Sequence, residues 1–123
     1  MLKIIYIEDQ RRPERNLEYK EVINRLGFKD IISFCNKISP EHIESLTADG
    51  VICHSGMTGH QVVTHYAKKK KWPLLLYSGS VNSTPFLQQS SFRKNQFSID
   101  SDYFESVLPE FIERCKSIKE DRE

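Results

Sequence analysis

The segment Ala48–Gly59 constrains the fold of this chain most strongly. Within it, the apolar run Val51–Cys53 follows Asp49-Gly50 and is broken at once by His54-Ser55-Gly56. A short apolar run between turn residues predicts a strand buried on both faces, as in the middle of a parallel sheet. His54 would end this strand at the carboxyl edge, where open α/β sheets place their chemistry. The glycines that follow predict a loop with unusual backbone freedom.

The composition is that of a folded domain that is soluble in water. Hydrophobic residues make up 38% of the 123 residues, charged residues 28%, and the net charge is +1. We therefore expect a single domain over residues 1–123, with no general attraction to nucleic acid or anionic membranes. The opening residues MLKIIYIEDQ reach acidic residues too soon for a signal peptide or a membrane span.

The cysteines predict a reducing compartment. Cys35, Cys53 and Cys115 are odd in number, lie in apolar runs and show no Cys-x2-Cys spacing. We expect packed, reduced thiols and a cytoplasmic location.

Apolar segments alternate with helical patterns along the chain. The predicted strands are Leu2–Ile7, Ile31–Cys35, Val51–His54, Trp72–Ser78 and, least apolar, Phe92–Ile99. The predicted helices begin at Pro13, Pro40, His60, Thr84-Pro85 and after Asp100-Ser101-Asp102. Gly27 is expected to end the first helix, and the third is expected to run to Lys70. Pro109 interrupts the last apolar pattern, so that helix either kinks there or begins near Ser106.

This alternation predicts a flavodoxin-like fold, a (βα)5 doubly wound α/β sandwich around a five-stranded parallel sheet. Right-handed crossovers would order the strands 2-1-3-4-5. The carboxyl ends of strands one, three and four then converge, which brings Glu8, Asp9, His54 and Ser78 into one crevice between Tyr6 and Tyr77.

At these residues the chain resembles the receiver domain of two-component response regulators, over about Leu2–Lys119. Receivers carry an acid pair at the end of strand one, matched by Glu8-Asp9, and a Ser or Thr at the end of strand four, matched by Ser78. The resemblance implies a signalling domain whose acids hold Mg²⁺, with Glu8 and Asp9 as the metal ligands here. It also implies a partner-binding surface near the last helix, around Tyr103 and Phe104, used by another protein or by a second copy.

Two departures point to a degenerate member of that family, a pseudo-receiver. His54 stands where receivers carry the aspartate that accepts phosphate, so aspartyl phosphate cannot form at this position. The Lys-Pro pair at the end of strand five is absent; Lys94 could stand in for the lysine, but no proline follows it. Imidazole is also a softer ligand than the carboxylates that Mg²⁺ prefers.

The residues leave other uses of the crevice open. Next to two acids, His54 is expected to take the charged form and make an internal ion pair where a receiver holds Mg²⁺. A small enzyme or ligand sensor using His54, Asp9 and Ser78 is an alternative, with Ser55 and Ser80 close by, although no Gly-x-Ser-x-Gly elbow occurs. A flavin is not expected, because the loop after strand one is acidic and lacks glycine.

The remaining histidines and the lysine run have simpler explanations. His42, His60 and His65 are expected on the surface without metal spacing. Lys68–Lys71 would complement a helix dipole, or form a phosphate-binding patch with Lys37, Arg93 or Trp72. The sequence therefore favours a phosphorylation-independent pseudo-receiver that binds another protein, ahead of the small enzyme or sensor and of a nucleic-acid-associated protein.

Overall fold

A mostly parallel sheet of six strands forms the centre of the computed structural model, which describes residues 1–79 and 86–122. The strands are β1 (Ile4–Ile7), β2 (Ile32–Cys35), β3 (Gly50–His54), β4 (Leu74–Ser78), β5 (Gln88–Gln89) and β6 (Gln96–Asp100). The described helices are α1 (Pro13–Arg25), α2 (Pro40–Ser45), α3 (His60–Lys70) and α4 (Phe104–Arg122), with a 3₁₀ turn at Ser101–Tyr103. The α/β class is thereby confirmed, and the arrangement is compatible with a doubly wound fold.

The strand order β2-β1-β3-β4-β6-β5 corrects the predicted count and order. The additional strand, β5, pairs antiparallel with β6, with Gln89 opposite Phe97. An edge strand that faces solvent needs no apolar alternation, so Gln88-Gln89 carried no strand signal. The predicted start of a short helix at Thr84-Pro85 lies outside the described residues, and β5 begins at Gln88, before which that helix was expected to end.

Both faces of the sheet are covered by helices. On one face α1 and α4 pack against β1, β3, β4 and β6, through Tyr19, Ile23, Phe104, Leu108 and Phe111 among others. On the other face α2 and α3 pack against the alternate side chains of β1, β3 and β4, through Ile43, Val63 and Ala67. Every side chain of β1 is at most 3% exposed, as a strand buried on two sides requires.

The three cysteines are buried and free, and burial raises the pKa of Cys53 to about 12.

The helix ends follow the sequence closely. Gly27 has φ +85° just after α1, Ser39 accepts a hydrogen bond from the His42 amide at the start of α2, and α3 spans the predicted residues. Asp100 accepts from the Asp102 amide at 2.9 Å and caps the 3₁₀ turn that leads into α4. The expected start near Ser106 is wrong, because α4 begins at Phe104 and contains Pro109. No helix in the described part of the chain is long and apolar enough to cross a membrane.

Gly59→Ala is expected to lower the free energy of unfolding by at least about 1–2 kcal/mol. Gly59 has φ +87°, and a Cβ built there would lie 2.6 Å from Cγ2 of Ile38. Urea unfolding of the purified variant measures the loss. Gly79→Ala is the matched control, because a Cβ at Gly79 meets no described atom within 4 Å, and a change within about 0.5 kcal/mol is expected there. Equal losses in both variants would contradict this account.

Candidate functional site

The candidate site is the crevice at the carboxyl edge of β1, β3 and β4. Asp9 follows β1, His54 ends β3 and Ser78 ends β4. The structure brings Asp9 and His54 together, with Oδ2 of Asp9 3.6 Å from Nδ1 of His54. The convergence predicted for these two residues is therefore present.

Asp9 is a buried carboxylate that the start of α1 holds in place. The residue is 1% exposed, and its amide donates to Oδ1 of Asn16 at 3.3 Å, while Nδ2 of Asn16 donates back to the Asp9 carbonyl at 3.0 Å. Asn16 is itself buried in the first turns of α1. This reciprocal pair ties the end of β1 to α1 and fixes where the carboxylate points.

Arg11 bridges Asp9 and the loop after β3. Its amide and its Nε both donate to Oδ1 of Asp9, at 3.0 and 3.3 Å, and its Nη2 donates to the Gly56 carbonyl at 2.7 Å. Burial raises the pKa of Asp9, but the hydrogen bonds and charge of Arg11 outweigh it, so the pKa lies below its ordinary value. Asp9 is therefore ionised, and a cation of the protein itself compensates its charge.

His54 lies beside this pair as a hydrogen-bond acceptor. The Gly56 amide donates to its Nδ1 at 3.3 Å, which places the proton of the neutral ring on Nε2. A Cβ at Gly56 would lie 3.2 Å from Cε1 of His54, so only glycine lets the loop approach the ring this closely without displacement. The His54 side chain is 14% exposed, and its ring centroid lies 5.2 Å from that of Tyr77.

The sequence predicted a charged His54, and the surroundings of the ring contradict this prediction. Burial lowers the pKa of His54, the positive charges of Arg15, Arg11 and Arg12 lower it further, and the opposing effect of Asp9 is smaller. The pKa therefore lies below its ordinary value, and the ring is neutral at pH 7. Arginines follow Asp9 directly in the run Gln10–Arg15, and their charge outweighs the attraction that the neighbouring acids predicted.

The floor of the crevice is a buried tyrosine pair. The hydroxyls of Tyr6 and Tyr77 lie 2.6 Å apart, and that of Tyr6 lies 3.5 Å from Oδ1 of Asn16. Burial raises the pKa of both phenols, so they stay protonated. Two polar atoms above this floor are buried without a hydrogen-bond partner among the described residues, Oδ2 of Asp9 and Nη1 of Arg15.

The donor set fits Mg²⁺ poorly. Glu8 is engaged by Lys20, with Nζ to Oε1 at 2.9 Å, and the Gly56 carbonyl accepts from Arg11. Residue 54 offers a nitrogen, whereas Mg²⁺ requires near-octahedral oxygen ligands. No group of three His, Cys, Asp or Glu within residues 1–79 and 86–122 could hold a metal ion. Metal binding by Glu8 and Asp9 stays a prediction, and no step of the chemistry is derived from it.

Two of the predicted serines lie at the carboxyl edge of the sheet, since Ser78 ends β4 and Ser55 directly follows β3. Ser78 is half-buried and pairs in register with Asp100 of β6, and the Ser55 amide donates to the Tyr77 carbonyl at 3.0 Å. Ser80 lies outside the described residues. Catalysis by His54, Asp9 and Ser78 stays a prediction.

The residues predicted for partner binding separate in the structure. Phe104 is 1% exposed, with its ring stacked on Tyr19 at 4.2 Å, so it belongs to the core beneath α1 and α4. Tyr103 is half-buried and packs at the edge of that core. Only Tyr103 of the two offers a side chain to a partner in this conformation.

Comparison of the chain with models of protein families, with curated proteins and with solved structures found no match. The resemblance to receivers therefore depends on the residues of this chain alone.

The pKa of His54, measured from its imidazole proton shifts by NMR, is expected to lie below 6.5. Since folding lowers this pKa, the unfolded chain takes up the proton first as the pH falls below about 6.5. The His54 contribution therefore makes the protein most stable above that pH and less stable below it.

Urea unfolding across pH 5 to 8 tests this linkage. His54→Gln should remove this part of the pH dependence, whereas His65→Gln, on an exposed position of α3, should retain it. If the protein instead became more stable as the pH fell, and His54→Gln removed that effect, folding would raise the pKa of His54. The residue would then be charged and form an ion pair with Asp9.

Proposed function

We propose that this chain is a receiver-like module of flavodoxin-like fold that acts by binding another protein and does not depend on phosphorylation. The observation that carries the proposal is the Arg11 bridge between Asp9 and Gly56. It occupies the side of the crevice where the resemblance predicts Mg²⁺. The guanidinium of Arg11 is part of the chain itself, so the charge of Asp9 is compensated without a bound ion.

The chemistry at residue 54 supports the same proposal. A neutral imidazole that accepts the Gly56 amide offers no carboxylate to be phosphorylated. Receivers are switched by phosphorylation of an aspartate. Without that aspartate or an exchangeable ion, the crevice has no group that an upstream kinase would modify in this way. The module would then be constitutively competent, and regulation would come from the availability of its partner.

The surface where α1 meets α4 is the partner site we propose. The exposed ion pair between Arg25 and Glu105 joins these helices, with Nη2 to Oε1 at 2.6 Å. Leu17 on the outer side of α1 is 62% exposed, and Tyr103 lies half-buried before α4. Exposed apolar and aromatic side chains are the kind that protein–protein interfaces bury. A second copy of this chain is the alternative occupant.

A ligand sensor is the second candidate function. Oδ2 of Asp9, which lies 3.6 Å from Nδ1 of His54, and Nη1 of Arg15 are an acceptor and a donor without a hydrogen-bond partner among the described residues. Buried polar groups in that state favour a small molecule that carries both a donor and an acceptor. Turnover or ligand binding that His54→Ala abolishes while the fold is retained would favour this candidate.

Titration with millimolar Mg²⁺ and with acetyl phosphate, followed by two-dimensional amide NMR, tests the proposal. The native protein should show no saturable shifts around Glu8, Asp9 and His54 and no added phosphate mass. Arg11→Ala should allow weak Mg²⁺-dependent shifts at Asp9, because the carboxylate and the Gly56 carbonyl lose their donor. Arg114→Ala is the control, because that half-exposed side chain lies on α4 and pairs with Glu110, with Nη2 to Oε1 at 3.8 Å.

Saturable shifts in the native protein, with phosphate added to any residue, would instead identify a working switch. The α1–α4 surface would be wrong as the partner site under two conditions together. The crevice residues show no saturable shifts, and the immobilised Leu17→Ser variant captures the same proteins as the native module.

A further inference from the structure

A second polar region lies at the opposite, amino edge of the sheet. A cavity of about 400 Å³ opens between the end of α3, the residues that lead into β4 and β6, and the end of α4. Five cationic residues line it: Lys68, Lys71, Arg93, Lys94 and Arg122. The other lining residues are Trp72, Phe92 and Asn95, so no acidic residue is among the described residues that line it. We call this cavity the basic pocket.

Helix dipoles do not account for this charge. Two helices, α3 and α4, end at the basic pocket, and each C-terminus carries roughly half a negative charge. Carbonyls of the last turn of α3 are already occupied: Lys71 N donates to Lys68 O, Trp72 N to Ala67 O, and Arg122 Nη2 to the Lys71 carbonyl. Five cations therefore leave a surplus of positive charge for an anion.

The backbone of the basic pocket is also unusual. Lys71 has φ 60° and Asn95 has φ 64°, and these are the two non-glycine residues with positive φ in the described part of the chain. Lys71 follows the last turn of α3, where glycine is the usual residue. A lysine there keeps a cation at the pocket in a conformation that glycine would adopt without strain.

One cation is ordered in advance. Nη1 of Arg93 donates to the Thr64 carbonyl at 3.2 Å and to Oε1 of Gln96 at 2.7 Å. These two bonds fix the guanidinium against α3 and β6, so a ligand would meet a positioned charge and lose little of its affinity to ordering the side chain.

The aromatic residues add a flat surface beside the charge. Phe92 is 94% exposed, next in sequence to Arg93 and Lys94. Trp72 is 5% exposed and forms the inner wall, with Lys70 Nζ 5.4 Å from its ring centroid. An exposed aromatic ring beside cations is the arrangement on which bases of single-stranded nucleic acids stack.

We propose that the basic pocket binds a nucleotide, with the phosphate on the cations and the base on Phe92. The nucleotide is either free or a unit of a single strand, since both present the same phosphate and base. This activity is independent of the partner binding proposed above, because none of the residues named for the α1–α4 surface lines the basic pocket.

Fluorescence anisotropy with a labelled single-stranded oligothymidylate tests the proposal, with ATP and inorganic phosphate as competitors. We expect saturable binding that weakens with salt, with a slope of log K against log salt of about −0.7 for each phosphate contacted. Phe92→Ala should weaken binding by about fivefold or more without changing that slope. Lys71→Gly should weaken binding and make the slope shallower by about 0.7.

The variants separate binding from folding. Lys71→Gly relieves a positive φ, so its thermal midpoint should equal or exceed that of the native protein. Lys37→Gln removes one exposed charge beyond the carboxyl end of β2, at the other edge of the sheet, and should bind as the native protein does.

The competitors identify the source of the nucleotide. Displacement by ATP at the affinity of the oligonucleotide would indicate a free nucleotide, whereas an affinity that grows with strand length would indicate a nucleic acid. If inorganic phosphate competes and Phe92→Ala binds the oligonucleotide as tightly as the native protein does, the base does not contribute to binding. The proposal would be wrong altogether if the protein bound neither the oligothymidylate, nor ATP, nor inorganic phosphate. It would also be wrong if Lys37→Gln weakened binding as much as Lys71→Gly does, or if the protein bound only anionic vesicles.

Discussion

The burial of the central strands on both faces decides where this molecule can carry chemistry. Side chains of β1 and of Val51–Cys53 are at most 3% exposed, so helices must cover the sheet from both sides. The faces of the sheet are therefore unavailable to solvent, and polar groups gather at its two ends. The carboxyl edge holds Asp9 and His54, and the amino edge holds the basic pocket. Both regions follow from one constraint on the core.

At the carboxyl edge, the ionised state of Asp9 organises its neighbours. A carboxylate that is 1% exposed needs a compensating charge and hydrogen-bond donors, and the backbone and guanidinium of Arg11 provide both. Burial disfavours the charged form of His54 most, and the positive charges of Arg15, Arg11 and Arg12 disfavour it further, so the ring is neutral. A carboxylate site that would otherwise attract a metal thus becomes an internal network with a neutral histidine beside it.

Local patterns predicted most of the elements, and contacts between distant segments explain the errors. The apolar run at Val51–Cys53 and the spacing within α3 are visible in neighbouring residues, so β3 and α3 were found. β5 was not predicted, because this edge strand consists of two glutamines and therefore shows no apolar pattern in the sequence. Phe104 lies on an apolar helix face, and such a face looks the same whether it meets the sheet or a partner. The basic pocket combines residues 68–72, 92–95 and 122, a grouping that only the fold creates.

The two edges lie far apart, which bears on how the molecule can be regulated. The five residues of β4 separate them by about 17 Å. The cations at the basic pocket are therefore too distant to contact Asp9 or His54. A phosphate bound at the amino edge would change the crevice only by moving β4 or β6. Both strands are paired along their full length and packed on α4, so such a movement would have to displace the sheet as a unit. Rigid pairing of this kind would let a ligand bind at the amino edge without changing the crevice at the carboxyl edge.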